Sequence, residues 1–301
     1  MTTNKEISNS NDSICASKNH SKLILFYYQI SSHHASMRSH LLYDNILRQH
    51  SNIFDCVVEM PAISYSRSKG KRNIQKILKI LFDSPGFFLM HLLTVKVFSI
   101  LSSIFKKSIK DLCKKNNINH FFYKKIDKNL IDFIRAKNPI WIISSTSTIL
   151  SKEFLDLPLH GVINFHEAPL PKYRGSASYF WFIVNNEKFA NTTVHYVAKE
   201  LDTGPIIFEG PKVQVSQSTV FSLWFKMLTS HKSSWDYLLP YLSNGEKIPS
   251  IEQSISDFKE YSFPDKESNS ILKRKKIPFI NHKDVKFIVS TAIYGLENNS
   301  L

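Results

Sequence analysis

The sequence predicts a doubly wound, mostly parallel α/β sheet that carries a helical insertion and a small C-terminal extension. Three observations lead there. Short apolar runs without helical period recur along the chain, segments with helical spacing separate them, and half of the chain's 8 glycines fall in one stretch, Gly161 to Gly210. Runs of the first kind are typical of strands buried on both faces, and their alternation with helices is the signature of parallel crossovers.

The elements follow in order. Met1 to His20 is polar and rich in Ser and Asn, without an apolar core of signal-peptide length, and reads as a disordered lead-in. Lys22 to Tyr28 is the first strand. From about Ser36, Met37, Leu41, Leu42, Ile46 and Leu47 recur at helical spacing. Phe54 to Met60 is the second strand, and later strands are expected at Asn119–Tyr123, Ile140–Ile143, Val162–Phe165, Thr192–Val197 and Pro205–Phe208. A catalytic domain over about 21–212 and a helical, irregular extension over 213–301 follow from this division. The extension contains a helix over Thr219–Leu242, with Trp224 and Met227 on its apolar stripe, then Tyr261 to Pro264 and the basic cluster Lys273 to Lys276.

An insertion over about 67–112 interrupts the pattern. Arg67 to Lys79 is basic, and Ser84 to Phe105 is nearly continuous hydrophobe with His91 and Lys96 inside it. Such a run suits a helix packed on the domain or forming a homodimer face, a peripheral membrane contact through residues 84–105, or, at its length limit, a membrane span.

The totals exclude some classes. With 301 residues, 43% hydrophobic and 21% charged, the chain is globular rather than disordered. Its three cysteines are scattered, which suits a reducing, cytoplasmic compartment and gives no zinc ligand set, so no metal is expected. The net charge of +14 is spread along the chain and lies in no nucleic-acid motif. It is consistent with composition bias or with an anionic small molecule or surface, and a nucleic-acid partner is not expected.

Chemistry gathers in Gly161–Gly210, which holds four of the 8 glycines. Asn164 and His166 are two apart at the end of one strand, so both point to one face. An amide donor beside an imidazole suits an oxyanion developing on an attacked carbonyl. Asp202, in Leu-Asp-Thr-Gly, is placed to hold the imidazole's charge or accept a proton. The same residues can equally cap a strand end and order an Asx turn. His195, sharing a strand face with Thr193, is a candidate for the same cleft.

Asn164-x-His166, then Leu170-Pro171-Lys172-Tyr173-Arg174-Gly175, then Val194-His195 and Asp202-x-Gly204 together resemble the formyltransferase superfamily. The likeness is sharp from about Asn138 to Gly210. It implies a Rossmann-like domain, 10-formyltetrahydrofolate as co-substrate, one-carbon transfer, and Asn164, His166 and Asp202 as catalytic triad. It further implies that the folate's pterin lies against Ser144, Ser145, Thr146, Ser147, Thr148 and Ile149, and against Glu200, Leu201, Thr203, Gly204 and Pro205. Tyr173, Arg174, Gly175 and His195 would then face the substrate. The sequence departs from the superfamily in several places. The glycine turn after the first strand is replaced by Tyr27 to Ser36, and the loop after the fourth strand, often glycine-containing, is Ser-Ser-Thr-Ser-Thr. Glu167-Ala-Pro-Leu-Pro171 stands where Ser-Leu-Leu-Pro is usual, Ser176-Ala-Ser-Tyr179 stands where many relatives carry a proline, and the tail lacks the β-rich domain of the transfer-RNA enzyme. The expected activity is therefore N-formylation of a small-molecule amine, such as a nucleotide- or lipid-linked amino sugar. Methionyl-tRNA formylation, formyltetrahydrofolate hydrolysis and a non-catalytic membrane-surface scaffold are the alternatives.

Overall fold

A computed structural model describes residues 21–29, 36–61, 78, 81–145, 149–216, 219–254 and 259–295. The proposed disordered lead-in and the basic stretch 67–77 lie outside the described residues.

Seven strands form one sheet: β1 (Ser21–Gln29), β2 (Phe54–Pro61), β3 (Asn119–Phe122), β4 (Pro139–Ser145), β5 (Gly161–His166), β8 (Thr193–Tyr196) and β9 (Ile206–Glu209). Their order is β3-β2-β1-β4-β5-β8-β9; the β5–β8 and β8–β9 pairs are antiparallel and the other neighbours parallel. This is the doubly wound sheet that the sequence predicts, and each expected strand is present. The order reverses between β1 and β4. At such a reversal the helices leaving the two strands go to opposite faces and open a crevice beyond their carboxyl ends.

The sheet is covered on both faces. Below it, Ile24, Val58, Ile142 and Val162 pack on α5 (Lys128–Lys137) and α6 (Lys152–Leu155). Above it, Leu25, Val57, Ile143 and Phe165 meet α1 (Met37–Gln49) and a larger set of helices. That larger core is shared by α7 (Ser178–Val184), α8 (Val220–Ser230), α9 (Lys232–Asn244) and α11 (His282–Tyr294), so the residues after 213 are built into it. Trp235 of α9, for example, donates through its indole N–H to the Leu42 carbonyl at 2.8 Å. Two small ladders, β7 (Phe189–Ala190) with β10 (Val213–Gln214) and β6 (Tyr173–Gly175) with β11 (Lys259–Tyr261), were not expected. Each has a strand of two or three residues, too short to show a period.

The insertion is a nearly continuous helix. It runs from α2 (Pro85–His91) through a π-turn (Leu92–Val97) into α3 (Phe98–Ile104), followed by α4 (Ile109–Lys115). Pro85 sits at its first turn, where a missing N–H costs nothing. Phe87, Met90, Thr94, Val95 and Phe98 are buried, while Leu89, Leu92, Ile100 and Ile104 are exposed. Over this length an α-helix of 3.6 residues per turn would let both faces drift around the axis. The π-turn takes in about one extra residue and realigns them. Thr94 bends its hydroxyl back to the Met90 carbonyl at 2.8 Å inside that turn, a bond that loosens the α-ladder there.

Candidate active site

β5 delivers Asn164 and His166 side by side at its carboxyl end. The antiparallel register sets Asn164 directly opposite His195 on β8. His195 is buried at 1% exposure, and burial, partly opposed by Asp202, pulls its pKa down to about 4, so the ring is neutral. Its Nδ1–H donates to the Tyr196 carbonyl at 2.8 Å. That leaves Nε2 as an acceptor for the Asn164 amide N–H at 3.1 Å. The contact fixes which end of the amide is nitrogen and leaves its second N–H for a ligand.

His166 donates through Nε2 to the Tyr173 carbonyl at 2.7 Å. Its Nδ1 therefore faces Asp202, 3.8 Å from Oδ2. Oδ1 of the same carboxylate lies 3.7 Å from His195 Nε2. Both gaps exceed a direct hydrogen bond, so a proton moving between ring and carboxylate needs a bridging N–H or water. The carboxylate is anchored instead by the Gly175 backbone N–H at 2.8 Å from Oδ2. Gly175 has φ +95°, and a Cβ there would sit on the Tyr261 carbonyl oxygen, so no other residue can bring its N–H so near. Asp202 itself has φ +52°. Its loop is clamped by Gln253, whose amide donates to the Asp202 carbonyl at 3.0 Å and the Gly204 carbonyl at 2.6 Å. Gln253 accepts in turn from Arg174 at 3.2 Å.

Two hollows meet at these residues. A cavity of about 360 Å³ is lined by Asn164, His166, Gly175 and Asp202 together with Arg38, Tyr179, Trp224 and the inner face of the insertion helix. A smaller hollow is lined by Asn164, His195 and Asp202 with Ser144, Ile149 and residues Val197 to Leu201. Asn164, Leu201 and Asp202 belong to both walls.

The floor of the larger cavity holds an ion pair. Arg38 Nε lies 2.6 Å from Glu167 Oε1, Nη2 donates to the Phe165 carbonyl at 2.9 Å, and Nη1 bonds the Ser145 hydroxyl. Burial works against the Arg38 charge, but Glu167 outweighs it and the pKa is raised. His91, on the insertion, lines the same cavity with its pKa lowered by burial and by Lys96.

The structure thus brings together Asn164, His166, Asp202 and Gly175, with His195 directly behind Asn164. Several other candidates are placed differently. Tyr173 is 1% exposed, stacks on Tyr261 with ring centroids 4.8 Å apart, and serves the site only through its carbonyl. Arg174 is buried at 6% and turned toward Gln253, and neither residue lines either hollow. The apolar body of Tyr173 and the fit of Arg174 under the Asp202 loop draw both inward. Ser144 and Ile149 line the small hollow, whereas Ser145 turns to the large one. Thr146, Ser147 and Thr148 lie outside the described residues. On the other loop Glu200 and Leu201 line the small hollow, while Thr203, Gly204 and Pro205 shape the turn behind it. Thr203 bonds the Glu200 carbonyl at 3.1 Å, and a Cβ on Gly204 would overlap the Tyr196 carbonyl. Pro205 gives its carbonyl to the Tyr196 N–H at 2.9 Å. Arg38, Glu167 and Gln253 are additions from the structure. Only Glu167 left a trace in the sequence, as an acidic residue directly after the strand-end histidine.

The fold and these residues define a Rossmann-like α/β protein with an Asn–His–Asp centre beyond the carboxyl ends of its parallel strands, and no cluster of metal-ligating side chains occurs among the described residues. The sequence model of the formyl transferase family matches residues 98–221, and the chain is similar to that family over this stretch. It is 36% identical over 125 residues to a methionyl-tRNA formyltransferase of Clostridium tetani, a span of 40% of either chain. It is 31% identical over 157 residues to that of Clostridioides difficile, covering 52% of this chain and 50% of the relative. The chain spans about half or less of the length of these relatives. Among solved structures it is similar to an N-formyltransferase from Helicobacter canadensis in complex with folinic acid and dTDP-3-aminofucose. There the TM-score is 0.51 at 17% identity, over 80% of this chain and 70% of the other. A phosphoribosylglycinamide formyltransferase from Anaplasma phagocytophilum gives 0.50 at 16% identity, over 80% and 99%. At these identities the structures speak for the fold alone.

Proposed function

We propose that the protein is an N-formyltransferase that moves a formyl group from 10-formyltetrahydrofolate to a small-molecule amine on a nucleotide- or lipid-linked amino sugar. The observation that carries this reading is the position of Asn164 and Asp202 on the wall shared by two hollows, with His166 beside them. A donor and an acceptor approaching from opposite sides would meet there.

The small hollow suits the donor. It is lined by the loop Val197 to Leu201, by Ser144 and by the apolar Ile149 and Leu150, a mixture of polar and apolar groups that suits a flat polar heterocycle. The folate would supply an activated formyl carbon. The larger cavity has the size of a small-molecule site and combines aromatic walls with the Arg38–Glu167 pair, which suits a sugar and its anionic carrier. With the amine placed against the formyl carbon, the free N–H of Asn164 faces the oxyanion that develops on attack. His166 Nδ1 accepts the amine's proton and, while it holds it, is a second donor toward the oxyanion. Asp202 stabilises the imidazolium so formed and assists relay of the proton to the folate nitrogen, whose bond to the formyl carbon breaks as the adduct collapses and tetrahydrofolate leaves. Gly175 and Gln253 hold the carboxylate still through this sequence.

The test is release of tetrahydrofolate from 10-formyltetrahydrofolate with a panel of amino-sugar nucleotides. His166→Ala and Asp202→Asn are expected to lower turnover by roughly 10²-fold or more, with folate binding retained. Release without added amine would favour hydrolysis. No release with any amine, and Asp202→Asn equal to wild type in folate binding and stability, would sink the enzymatic reading in favour of a scaffold.

Methionyl-tRNA as acceptor is the second reading, favoured by the identity of the curated relatives. Against it, the residues after Gln214 fold into helices with one three-residue strand among those described. Charged initiator transfer RNA belongs in the same assay, where its use would show a steep salt dependence.

A further inference from the structure

The insertion helix has two working faces. Its inner face, with Phe87, Met90 and Thr94, lines the large cavity. Its outer face carries Leu89, Leu92, Ile100 and Ile104, of which Ile100 is 52% and Ile104 66% exposed. Phe105 follows at the carboxyl end, at 46% exposure. Isolated exposed apolar side chains are ordinary, but a row of them along one face of a helix from Leu89 to Phe105 is not.

The ridge is realigned by the π-turn, as the buried face is. Without the extra residue, Ile100 and Ile104 would rotate away from Leu89 and Leu92 and the outer surface would be a scatter of hydrophobes. Cations border it: Lys106, Lys107 and Lys110 are exposed just past its carboxyl end, and the whole chain carries +14. The apolar stretch reaches membrane-spanning length and a mean hydropathy of 1.8. Its inner side, however, is packed against α1 and α11 and forms a cavity wall, so the helix lies along the protein and offers lipid one face only. An exposed apolar ridge beside lysines, on a helix fixed flat against its domain, has the make-up of an interfacial helix.

We propose that this outer face docks the protein on an anionic lipid bilayer, with Leu89, Leu92, Ile100, Ile104 and Phe105 in the headgroup region and the lysines on acidic lipids. Combined with the proposed formyl transfer, on which this consequence alone rests, the acceptor amine is then met at the membrane surface. The helix that touches lipid is also the wall of the acceptor cavity, so a lipid-carried headgroup needs to travel only across its thickness.

Co-sedimentation of the full chain with vesicles tests the docking independently of any transfer. Vesicles of phosphatidylcholine with about 30% phosphatidylglycerol are expected to pull down the protein, pure phosphatidylcholine several-fold less, and added salt to release it. Ile100→Glu/Ile104→Glu is expected to lower binding by roughly tenfold or more. Both side chains are exposed, so thermal unfolding and tetrahydrofolate release with a soluble amine should stay at wild-type values. Equal binding of wild type and double variant, or no binding of wild type to acidic vesicles, would overturn the proposal. So would a wild-type dimer in solution that the double variant converts to monomer without any vesicle binding, since the ridge would then be covered by a second copy. Binding to vesicles in a protein that transfers no formyl group would leave the docking standing and refute the reaction instead.

Discussion

Gln253 offers the sharpest test of how the site is held. Its side chain makes two hydrogen bonds to carbonyls of the turn that carries the carboxylate, at 3.0 Å to Asp202 and 2.6 Å to Gly204. Neutral hydrogen bonds contribute about 0.5–1.5 kcal/mol each, so Gln253→Ala removes about 1–3 kcal/mol of order from that turn. If the loss falls on the transition state, where the carboxylate must face a new imidazolium, kcat drops by about five- to 150-fold. The KM for the amine should stay within about threefold, because Gln253 touches neither hollow. Gln253→Glu separates the two sides of the clamp: a carboxylate keeps Arg174 as partner but cannot donate to the carbonyls. It should therefore lose as much kcat as the alanine variant. Steady-state tetrahydrofolate release at varied amine, beside thermal unfolding, provides the readout. A Gln253→Ala enzyme with kcat within twofold of wild type, whatever its melting temperature, would refute the idea that the clamp positions Asp202.

Gly175→Ala must place a Cβ at φ +95° and against the Tyr261 carbonyl, so a loss of about 1–3 kcal/mol is expected in denaturant unfolding, with turnover falling as the N–H leaves Asp202. Arg38→Met leaves the Glu167 carboxylate without its partner in a partly buried floor and should cost about 1–3 kcal/mol; Arg38→Met/Glu167→Leu should recover much of it, which a double-mutant cycle measures. Stability should fall as pH drops from about 6.5 toward 4. His195 and His231 are buried, His91 is half-buried, and all three have lowered pKa values, so in that window the unfolded chain binds protons that the folded chain refuses. Above the unfolded value both states are neutral and the contribution is fully present. His195→Gln removes one such group and should flatten the slope of melting temperature against pH.

The frame of the fold was legible because its strands are buried on both faces. Ile140 to Ile143 and Val162 to Phe165 cannot be continued as amphipathic helices, and their order along the chain left few topologies. The pairing of Asn164 with His166 was likewise legible, since two residues apart on a strand is a fixed geometry. Tyr173 and Arg174 were not. Their place in one continuous motif gave no hint that both turn inward, because the partners that draw them, Tyr261 and Gln253, stand some 80 residues later. The same distance hides the role of Gln253, a lone polar residue in an irregular stretch. Arg38 was hidden by the opposite circumstance: it sits inside an ordinary amphipathic helix, where an arginine reads as a solvated face.

The backbone angle of Asp202 bears on what variation this position can tolerate. With φ at +52°, the main chain there already favours Asn, Asp or Gly before any chemistry is considered. Two independent filters therefore act on one codon, conformation and charge. Glutamate passes the second and fails the first, alanine fails both, and asparagine and glycine pass the first while failing the second. Among homologous chains an Asn at this place would mark loss of the proton relay with the turn intact, whereas a β-branched residue would mark a rebuilt loop.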